Sequence, residues 1–174
     1  MDLKSYIRNV PDFPQPGVLF RDITPLLQNT EAFRYVIDEL TGRVAALQPD
    51  VIVGIESRGF VFGAPIAYTL GLPFVPVRKA GKLPSERMSV EFALEYGESQ
   101  LDIHTDALGR DQQVVIVDDL LATGGTAAAA AKLVELLGAH VRGFAFLVEL
   151  GFLDGGARLQ DYETIALVRY DEAG

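Results

Sequence analysis

The segment from Val114 to Thr126 constrains the fold more than any other part of the chain. It begins with four β-branched residues, Val114–Val117, which are followed directly by Asp118 and Asp119 and then by the small-residue stretch Ala122-Thr123-Gly124-Gly125-Thr126. A continuous apolar run of this kind is typical of a strand that is covered on both faces. The order of strand, acidic pair, small turn and helix predicts an α/β unit with a ligand site at the carboxyl end of the strand.

The residues after this strand have the properties of a phosphate-binding loop. Gly124 and Gly125 allow the backbone to approach a ligand closely and to turn its N–H groups inward. The helix that starts here adds partial positive charge, and the hydroxyls of Thr123 and Thr126 add donors. Asp118 and Asp119 can accept hydrogen bonds from two neighbouring hydroxyls, as on a ribose. The alternative is a purely structural turn in which Asp119 caps the helix.

The rest of the chain alternates between strand and helix patterns. We predict strands at Val51–Ile55, Phe74–Val77, Val114–Val117, Val141–Val148 and Thr164–Tyr170, and a hairpin of Val90–Tyr96 and Ser99–His104 around Gly97. We predict helices over Glu31–Leu47 with Thr30 as the cap, near Phe60–Leu70 with Pro65 in the first turn, and from the alanine run Ala127–Ala131 to about Gly138. This alternation predicts one α/β domain over residues 1–174, with a central, mostly parallel sheet flanked by helices on both faces. The two ends of the chain are expected to form a small hood.

Composition narrows the classes of function. The 174 residues include 15 Lys and Arg against 24 Asp and Glu, a net charge of −9, so broad binding to nucleic acid or to an anionic membrane is not expected. With no cysteine there is no disulfide framework, and no apolar stretch approaches the length of a membrane span. We therefore expect a cytoplasmic protein that binds any phosphate ligand through local donors.

Two further groups of residues could bind an anion. Glu56-Ser57-Arg58-Gly59 follows the Val51–Ile55 strand, so Arg58 is expected at the same sheet edge as the acidic pair; a surface arginine in an ordinary turn is the alternative. Arg78, Lys79 and Lys82 lie in the polar stretch 78–89, which predicts a mobile loop. Three such cations are more often simply solvated.

Five motifs in one order give the chain a specific resemblance. Besides Asp118–Thr126 they are Phe13–Ile23, Ser57–Phe60, Arg78–Pro84 and Leu94–Gly97. Together they resemble the type I phosphoribosyltransferases, enzymes that use 5-phosphoribosyl 1-pyrophosphate, and in particular the members that act on adenine. The resemblance spans nearly the whole chain and implies the fold of that family, with a hood from about 1–30 and 150–163 and a lid loop at about 78–104.

The resemblance also implies roles for individual residues. It assigns the 5-phosphate to Ala122–Thr126, the ribose hydroxyls to Asp118 and Asp119, and catalytic acid–base work to Glu95. Pyrophosphate binding would fall to Ser57, Arg58, Arg78, Lys79, Lys82 and Tyr96, and adenine binding to Leu19, Phe20, Arg21 and Leu150. Glu56 has no assigned role. The structural alternatives are a plain turn acid at Glu95 and a hydrophobic plug at the N-terminus.

The implied reaction is the conversion of adenine and 5-phosphoribosyl 1-pyrophosphate to AMP and pyrophosphate. Mg²⁺ is the implied cofactor, held mainly through substrate oxygens with no protein metal site, and a homodimer is the implied assembly. One alternative is a regulatory domain that binds the sugar donor without catalysis. Another is the same chemistry on guanine, hypoxanthine or orotate. The segment Val148-Glu149-Leu150-Gly151 lacks the lysine with which relatives acting on 6-oxopurines bind the base.

Overall fold

A seven-stranded sheet forms the centre of the molecule. The computed structural model describes residues 1–93 and 97–173. The strands are β1 (Arg8–Pro11), β2 (Leu19–Asp22), β3 (Val51–Ile55), β4 (Phe74–Lys79), β5 (Arg87–Ala93), β6 (Glu98–His104), β7 (Gln113–Leu121), β8 (His140–Leu150) and β9 (Glu163–Tyr170). The large sheet has the order β5-β6-β4-β3-β7-β8-β9, and β1 pairs with β2 in a separate antiparallel sheet.

Most of the large sheet is parallel. Strands β4, β3, β7, β8 and β9 pair in parallel, while β6 pairs antiparallel with β4 and with β5. The β5–β6 hairpin therefore forms one edge of the sheet. This arrangement confirms the prediction of a central, mostly parallel sheet, and β5 and β6 pair antiparallel as predicted for the hairpin.

Helices cover both faces of this sheet. They are α1 (Thr24–Gln28), α2 (Thr30–Ala46), α3 (Arg58–Leu70) and α4 (Gly125–Leu136), together with three short 3-10 helices at Leu3–Tyr6, Gly151–Leu153 and Gly155–Leu159. On one face, Val115 and Val117 of β7 belong to the apolar cluster built with α2 and α3. On the other face, Val114 and Ile116 belong to the cluster that contains α4. This alternation along one strand is the expected consequence of side chains pointing to opposite faces.

Several predicted boundaries were wrong, each for a local reason. Asn29 caps α2, because its side chain accepts a hydrogen bond from the Ala32 amide and Thr30 is already helical. Helix α3 starts at Arg58, two residues before the predicted start near Phe60, so Pro65 lies inside the helix and not in its first turn. Arg78 and Lys79 belong to β4, because they pair with Asp102 and Leu101 of β6.

The small sheet of β1 and β2 is tied to the end of the chain by Arg21. This guanidinium donates to Asn9 Oδ1 at 2.5 Å and lies 4.0 Å from the ring centroid of Tyr170. Among the described residues, none of the helices is long and apolar enough to cross a bilayer.

Candidate active site

A cavity of about 360 Å³ opens at the carboxyl edge of β3 and β7. Its lining combines the two strand ends with the turn before α4 and the first turn of α3. The lining residues are Glu56, Ser57, Arg58, Lys79, Asp118, Asp119, Leu120, Leu121, Ala122, Thr123, Gly124, Gly125, Thr126, Ala127 and Phe146. The structure thus brings together every residue predicted for the 5-phosphate and the ribose hydroxyls, and three of those predicted for pyrophosphate.

The turn between β7 and α4 has the geometry of an anion-binding loop. Gly124 has φ +82°, a left-handed conformation that favours glycine, and α4 begins at Gly125. The first N–H groups of a helix have no intrahelical partner, so those of α4 are available to a ligand in the cavity. An anion bound here would also lie at the positive end of the helix dipole.

The C-terminal part of the chain packs against this turn, which the sequence did not reveal. A Cβ on Gly155 would lie 2.1 Å from the Ala122 carbonyl oxygen, and a Cβ on Gly124 would lie 2.6 Å from the Gly155 carbonyl oxygen. Backbone therefore contacts backbone directly. The signal in the sequence was the pair Gly155-Gly156, but nothing indicated what it would contact.

Asp118 and Asp119 lie inside β7, at its carboxyl end, and not after the strand as predicted. Asp119 is buried, and its Oδ2 accepts a hydrogen bond from Arg58 Nε at 2.5 Å. The Asp119 amide donates to Asp118 Oδ1 at 2.8 Å. The two acids are therefore held in different ways, one by a guanidinium and one by a backbone amide.

The electrostatic environment of Asp118 disfavours its charge. Burial raises the pKa of this carboxyl well above its usual value, and the neighbouring charge of Asp119 raises it further. The Asp119 amide and Arg58 act in the opposite direction but do not offset these effects. A second negative charge in this place is therefore unfavourable until a ligand or a cation adds compensating interactions.

Arg58 reaches the acidic pair because α3 starts very close to β7. A Cβ on Gly59 would lie 2.7 Å from the Val117 carbonyl oxygen and 3.0 Å from Asp118 Oδ1, so the approach depends on glycine. Ser57, predicted for pyrophosphate, occupies the position before the helix, and its side chain makes no capping hydrogen bond. Ser57 and Arg58 both line the cavity.

The residues predicted for adenine do not line the cavity, but one adjoins it. Arg58 Cζ lies 5.6 Å from the centroid of the Phe20 ring, and Phe13 packs edge-on against Phe20 at 5.1 Å. Phe20 is therefore next to the site through Arg58. Leu19 lies in the same strand, Leu150 packs against the apolar cluster on the α2 and α3 side, and the side chain of Arg21 is engaged with Asn9 and Tyr170.

The three predicted pyrophosphate cations at the end of β4 and just after it differ in their contacts. Lys79 lines it, whereas Arg78 and Lys82 bind Glu56 through Nε and Nζ at 3.0 Å and 2.9 Å. Burial raises the pKa of Glu56, but hydrogen bonds from Lys82, the Lys79 amide and Arg78 outweigh it and leave that pKa below its usual value. The start of the predicted mobile loop is thus anchored by Glu56, an acid to which the sequence pattern assigns no role. Glu95 and Tyr96 lie outside the described residues.

Comparison with known proteins agrees with this geometry. The family model described as the phosphoribosyl transferase domain matches residues 25–165. An adenine phosphoribosyltransferase of Synechococcus sp. is 57% identical over 171 residues, which cover 98% of this chain and 100% of the relative. The crystal structure of the adenine phosphoribosyltransferase of Thermoanaerobacter pseudethanolicus superposes with a TM-score of 0.94 at 53% identity, covering 97% of this chain and 98% of that one.

A third relative was solved with ligands. The adenine phosphoribosyltransferase of Saccharomyces cerevisiae, in complex with D-2,5-dideoxy-2,5-imino-altritol 1,6-bisphosphate and adenine, has a TM-score of 0.86 at 41% identity and 96% coverage of both chains. The chain belongs to the phosphoribosyltransferase family of enzymes, as its motifs and fold predicted. Its full-length relatives place it with the adenine phosphoribosyltransferases.

Proposed function

We propose that this chain transfers the phosphoribosyl group of 5-phosphoribosyl 1-pyrophosphate to N9 of adenine, giving AMP and pyrophosphate. The observation that carries the proposal is that the turn before α4, the acidic pair and Arg58 line one and the same cavity. These are donors for a phosphate, acceptors for a diol and a cation for a leaving group. The names of the relatives supply the base.

The turn from Ala122 to Thr126 is proposed to hold the 5-phosphate. The free N–H groups at the start of α4 and the two threonine hydroxyls supply donors without requiring a lysine. Asp118 and Asp119 would accept hydrogen bonds from the ribose hydroxyls next to it. The ring is then anchored at one end while the bond at C1 reacts at the other.

Ser57, Arg58 and Lys79 are proposed to bind the pyrophosphate, with Arg78, Lys82 and Tyr96 as further members of that site. As the C1–O bond breaks, negative charge accumulates on the leaving pyrophosphate and positive charge on the ribose ring. The cations stabilise the negative charge on the pyrophosphate, and the carboxylates stabilise the positive charge on the ribose ring. N9 of adenine then forms the new bond to C1 from the opposite face.

Mg²⁺ is the proposed cofactor, and the donor set fits it. Mg²⁺ is usually bound through one or two carboxylates together with phosphate oxygens and water, and Asp118 and Asp119 provide hard oxygen ligands beside the ribose position. When bound through substrate oxygens, the ion would neutralise part of the pyrophosphate charge.

Base binding and proton transfer are assigned to the hood and the lid. We propose a hood of about 1–30 and 150–163, in which the backbone of Leu19 and Arg21 binds the edge of adenine while Phe20 and Leu150 cover its faces. The contact of Phe20 with Arg58 supports this placement. Glu95, in the lid at about 78–104, would take the N9 proton as adenine attacks, and closure of the lid would exclude water.

Two further properties complete the proposal. We propose that the enzyme works in the cytoplasm as a homodimer. Light scattering on the purified protein checks the assembly, and a monomer at working concentration would contradict it.

The decisive experiment is a base panel. Purified protein is mixed with 5-phosphoribosyl 1-pyrophosphate, Mg²⁺ and one of adenine, guanine, hypoxanthine or orotate, and pyrophosphate release is measured. We expect release with adenine and no comparable release with the other bases. Binding of the donor without release on any base would favour the regulatory alternative, and release on another base would correct the specificity.

A further inference from the structure

Glu56 is the most heavily hydrogen-bonded acid beside the cavity, and the reaction just described gives it no task. It follows β3 directly, and only 5% of its side chain is exposed. One oxygen accepts from Lys82 Nζ at 2.9 Å, and the other accepts from Arg78 Nε at 3.0 Å and from the Lys79 amide at 2.9 Å. All three donors come from the segment 78–82, which also carries the cations predicted for pyrophosphate.

A second buried acid holds the same segment from the other side. Asp102 of β6 is fully buried, and its Oδ2 accepts from the Gly81 amide at 3.2 Å and pairs with Arg87 Nε at 3.4 Å. Its Oδ1 accepts from Ser89 Oγ at 2.7 Å, which joins this acid to β5. The end of β4 and the residues after it are thus fixed between two carboxylates, one at the pyrophosphate end of the cavity and one in the hairpin.

The contacts of Lys79 show what this fixation achieves. Lys79 lines the cavity and bonds to Glu56 through its backbone amide, a bond that does not use the Lys79 side chain. Arg78 and Lys82 bond to Glu56 through their side chains. The carboxylate therefore fixes the Lys79 backbone at the edge of the cavity through a bond that does not involve the Lys79 ammonium. The same atom of Glu56 that binds the Lys79 amide also binds Arg78.

We infer that Glu56 is a positioning residue for pyrophosphate, holding the segment from Arg78 to Lys82 so that Lys79 faces the leaving group. The inference rests on the proposed function, because it takes the Ser57–Arg58 end of the cavity as the pyrophosphate site. A cation on a free loop loses side-chain entropy and the entropy of the loop when it binds an anion. A cation on a fixed backbone loses less, so it binds more tightly.

The contacts of Glu56 also allow the opposite effect, in which Glu56 weakens pyrophosphate binding. A charge-removing variant distinguishes the two effects. Glu56 is an anion beside the cations, so the alternative effect is competition with pyrophosphate for Arg78 and Lys82. Under competition, removal of the negative charge tightens pyrophosphate binding. Under positioning, it weakens binding, because the two cations lose their common partner and repel each other.

The test compares Glu56→Gln, Glu56→Asp and a control. Gln keeps the size and one acceptor but removes the charge. Asp keeps the charge but draws the carboxylate back by one methylene. Glu39→Gln serves as the control, because Glu39 forms an exposed ion pair with Arg43 at 3.6 Å on α2, away from the cavity. KM for each substrate, kcat, melting temperature and the calorimetric Kd of Mg²⁺-pyrophosphate are measured for all.

For Glu56→Gln we expect KM for the sugar donor and Kd for pyrophosphate to rise by about 10-fold or more, with KM for adenine within about 2-fold of the parent. Glu56→Asp should fall between the parent and Gln, and Glu39→Gln should match the parent. Unchanged or tighter pyrophosphate binding in Glu56→Gln overturns the inference, as does a lower melting temperature with unchanged constants. Should Glu56→Gln not fold, the same readouts on Glu56→Asp decide. Failure of the parent protein to release pyrophosphate with adenine would instead contradict the proposed function.

Discussion

Acids at one cavity differ in their preference for a proton because their surroundings differ. Burial and the charge of Asp119 raise the pKa of Asp118, whereas Glu56 retains a lowered pKa despite the opposing effect of burial, because three donors bind it. Asp119 has Arg58 as a direct partner. At neutral pH, Glu56 is therefore a stabilised anion, and Asp118 is the acid whose charge is disfavoured. A carboxylate whose charged form is unfavourable in the folded protein is typical of a ligand site, where function takes precedence over stability.

Replacement of Asp118 by Asn should stabilise the protein and weaken donor binding. A raised folded-state pKa means that the acid favours folding only below its unfolded value and opposes it as pH rises through the folded value. Asn removes that penalty and can still accept from the Asp119 amide. We expect the melting temperature at pH 8 to rise by about 2–4 °C, corresponding to about 1 kcal/mol, with a smaller gain at pH 4. KM for the sugar donor should rise. A lower melting temperature at pH 8 would contradict the assignment.

Replacement of Asp119 by Asn should lower activity because it removes a favourable interaction with Arg58. It removes the charge that binds Arg58 at 2.5 Å and leaves that guanidinium without its partner in the cavity. We expect kcat/KM for the sugar donor to fall by about 10- to 100-fold, or about 1.4 to 3 kcal/mol, since charged hydrogen bonds are of this size. Steady-state kinetics measure it. Asp111→Asn is the control, because the Asp111 side chain is 87% exposed. Equal kinetics in the two variants would remove Asp119 from the site.

Among the elements, the 3-10 helix at Gly155–Leu159 supports the turn before α4. Gly155 and the turn touch through backbone atoms only, so the position of one fixes the other. This contact links the last part of the chain to the proposed phosphate site, although the two are separated by α4 and β8. Interiors are close-packed, so even one added methyl group at such a contact has to displace backbone.

Gly155→Ala should therefore disturb the phosphate site, whereas Gly156→Ala should not. A Cβ on Gly155 would lie 2.1 Å from the Ala122 carbonyl oxygen, while one on Gly156 would meet only Glu149 Oε1 at 3.6 Å. We expect Gly155→Ala to lower the free energy of unfolding by about 1–3 kcal/mol and to raise KM for the sugar donor by about 10-fold or more. Urea unfolding and kinetics measure both effects. Similar behaviour of the two variants would mean that the contact does not hold the turn.

Buried strands and their ligand-facing ends could be predicted from the sequence. Val51–Ile55 was predicted with the observed bounds, because all five of its residues are buried and apolar. The strand containing Val114–Val117 was predicted too short, because the acids that follow it stay in the ladder: Asp118 pairs with Phe146 of β8. Charged residues normally indicate the end of a buried strand. Asp118 and Asp119 instead continue β7, at the place where the strand lines the cavity.

Roles that depend on distant partners could not be predicted. The role of Glu56 could not be predicted because its donors lie beyond α3 in the chain, at the end of β4 and at Lys82. The polar stretch 78–89 predicted a mobile loop, since its composition resembles one, but buried Asp102 and Glu56 hold its first part. Likewise, nothing near Gly155 indicated that it would contact Ala122. Such contacts are set by the sheet order and not by local pattern.

For the whole molecule, the order of strands assembles the site. β7 lies between β3 and β8 in parallel, so the residues after β3 and those at the end of β7 meet at one edge. That is how Arg58 and Asp119, far apart in the chain, become hydrogen-bonded partners. The antiparallel β6 pairs with β4 and brings Asp102 into contact with the segment 78–82.

The hydrogen bonds to Asp102 and Glu56 should determine how the free energy of unfolding changes at low pH. Burial raises the pKa of Asp102, but bonds from Gln100, Ser89 and Gly81 together with the charge of Arg87 outweigh it, so its pKa is lowered, as is that of Glu56. Lowered folded-state pKa values stabilise the fold above the unfolded values, 3.8 and 4.5, and this contribution is lost as pH falls below them. The effect of Asp118 has the opposite sign, so the loss in acid comes from the acids with lowered pKa values. Besides Glu56 and Asp102 these include Asp22, whose pKa is lowered by hydrogen bonds from Thr24.

We therefore expect the free energy of unfolding to fall as pH drops below about 4.5, as measured by urea unfolding at each pH. Asp102→Asn should lower it by about 2 kcal/mol at pH 7, since a charged acceptor is lost from a buried cluster, and should flatten the fall in acid. Asp106→Asn, in the exposed turn after β6, should reproduce the parent curve. If Asp102→Asn kept the full acid slope, protonation of this acid would not be its cause. The loss of stability in acid would then have to come from the other acids with lowered pKa values, Glu56 and Asp22.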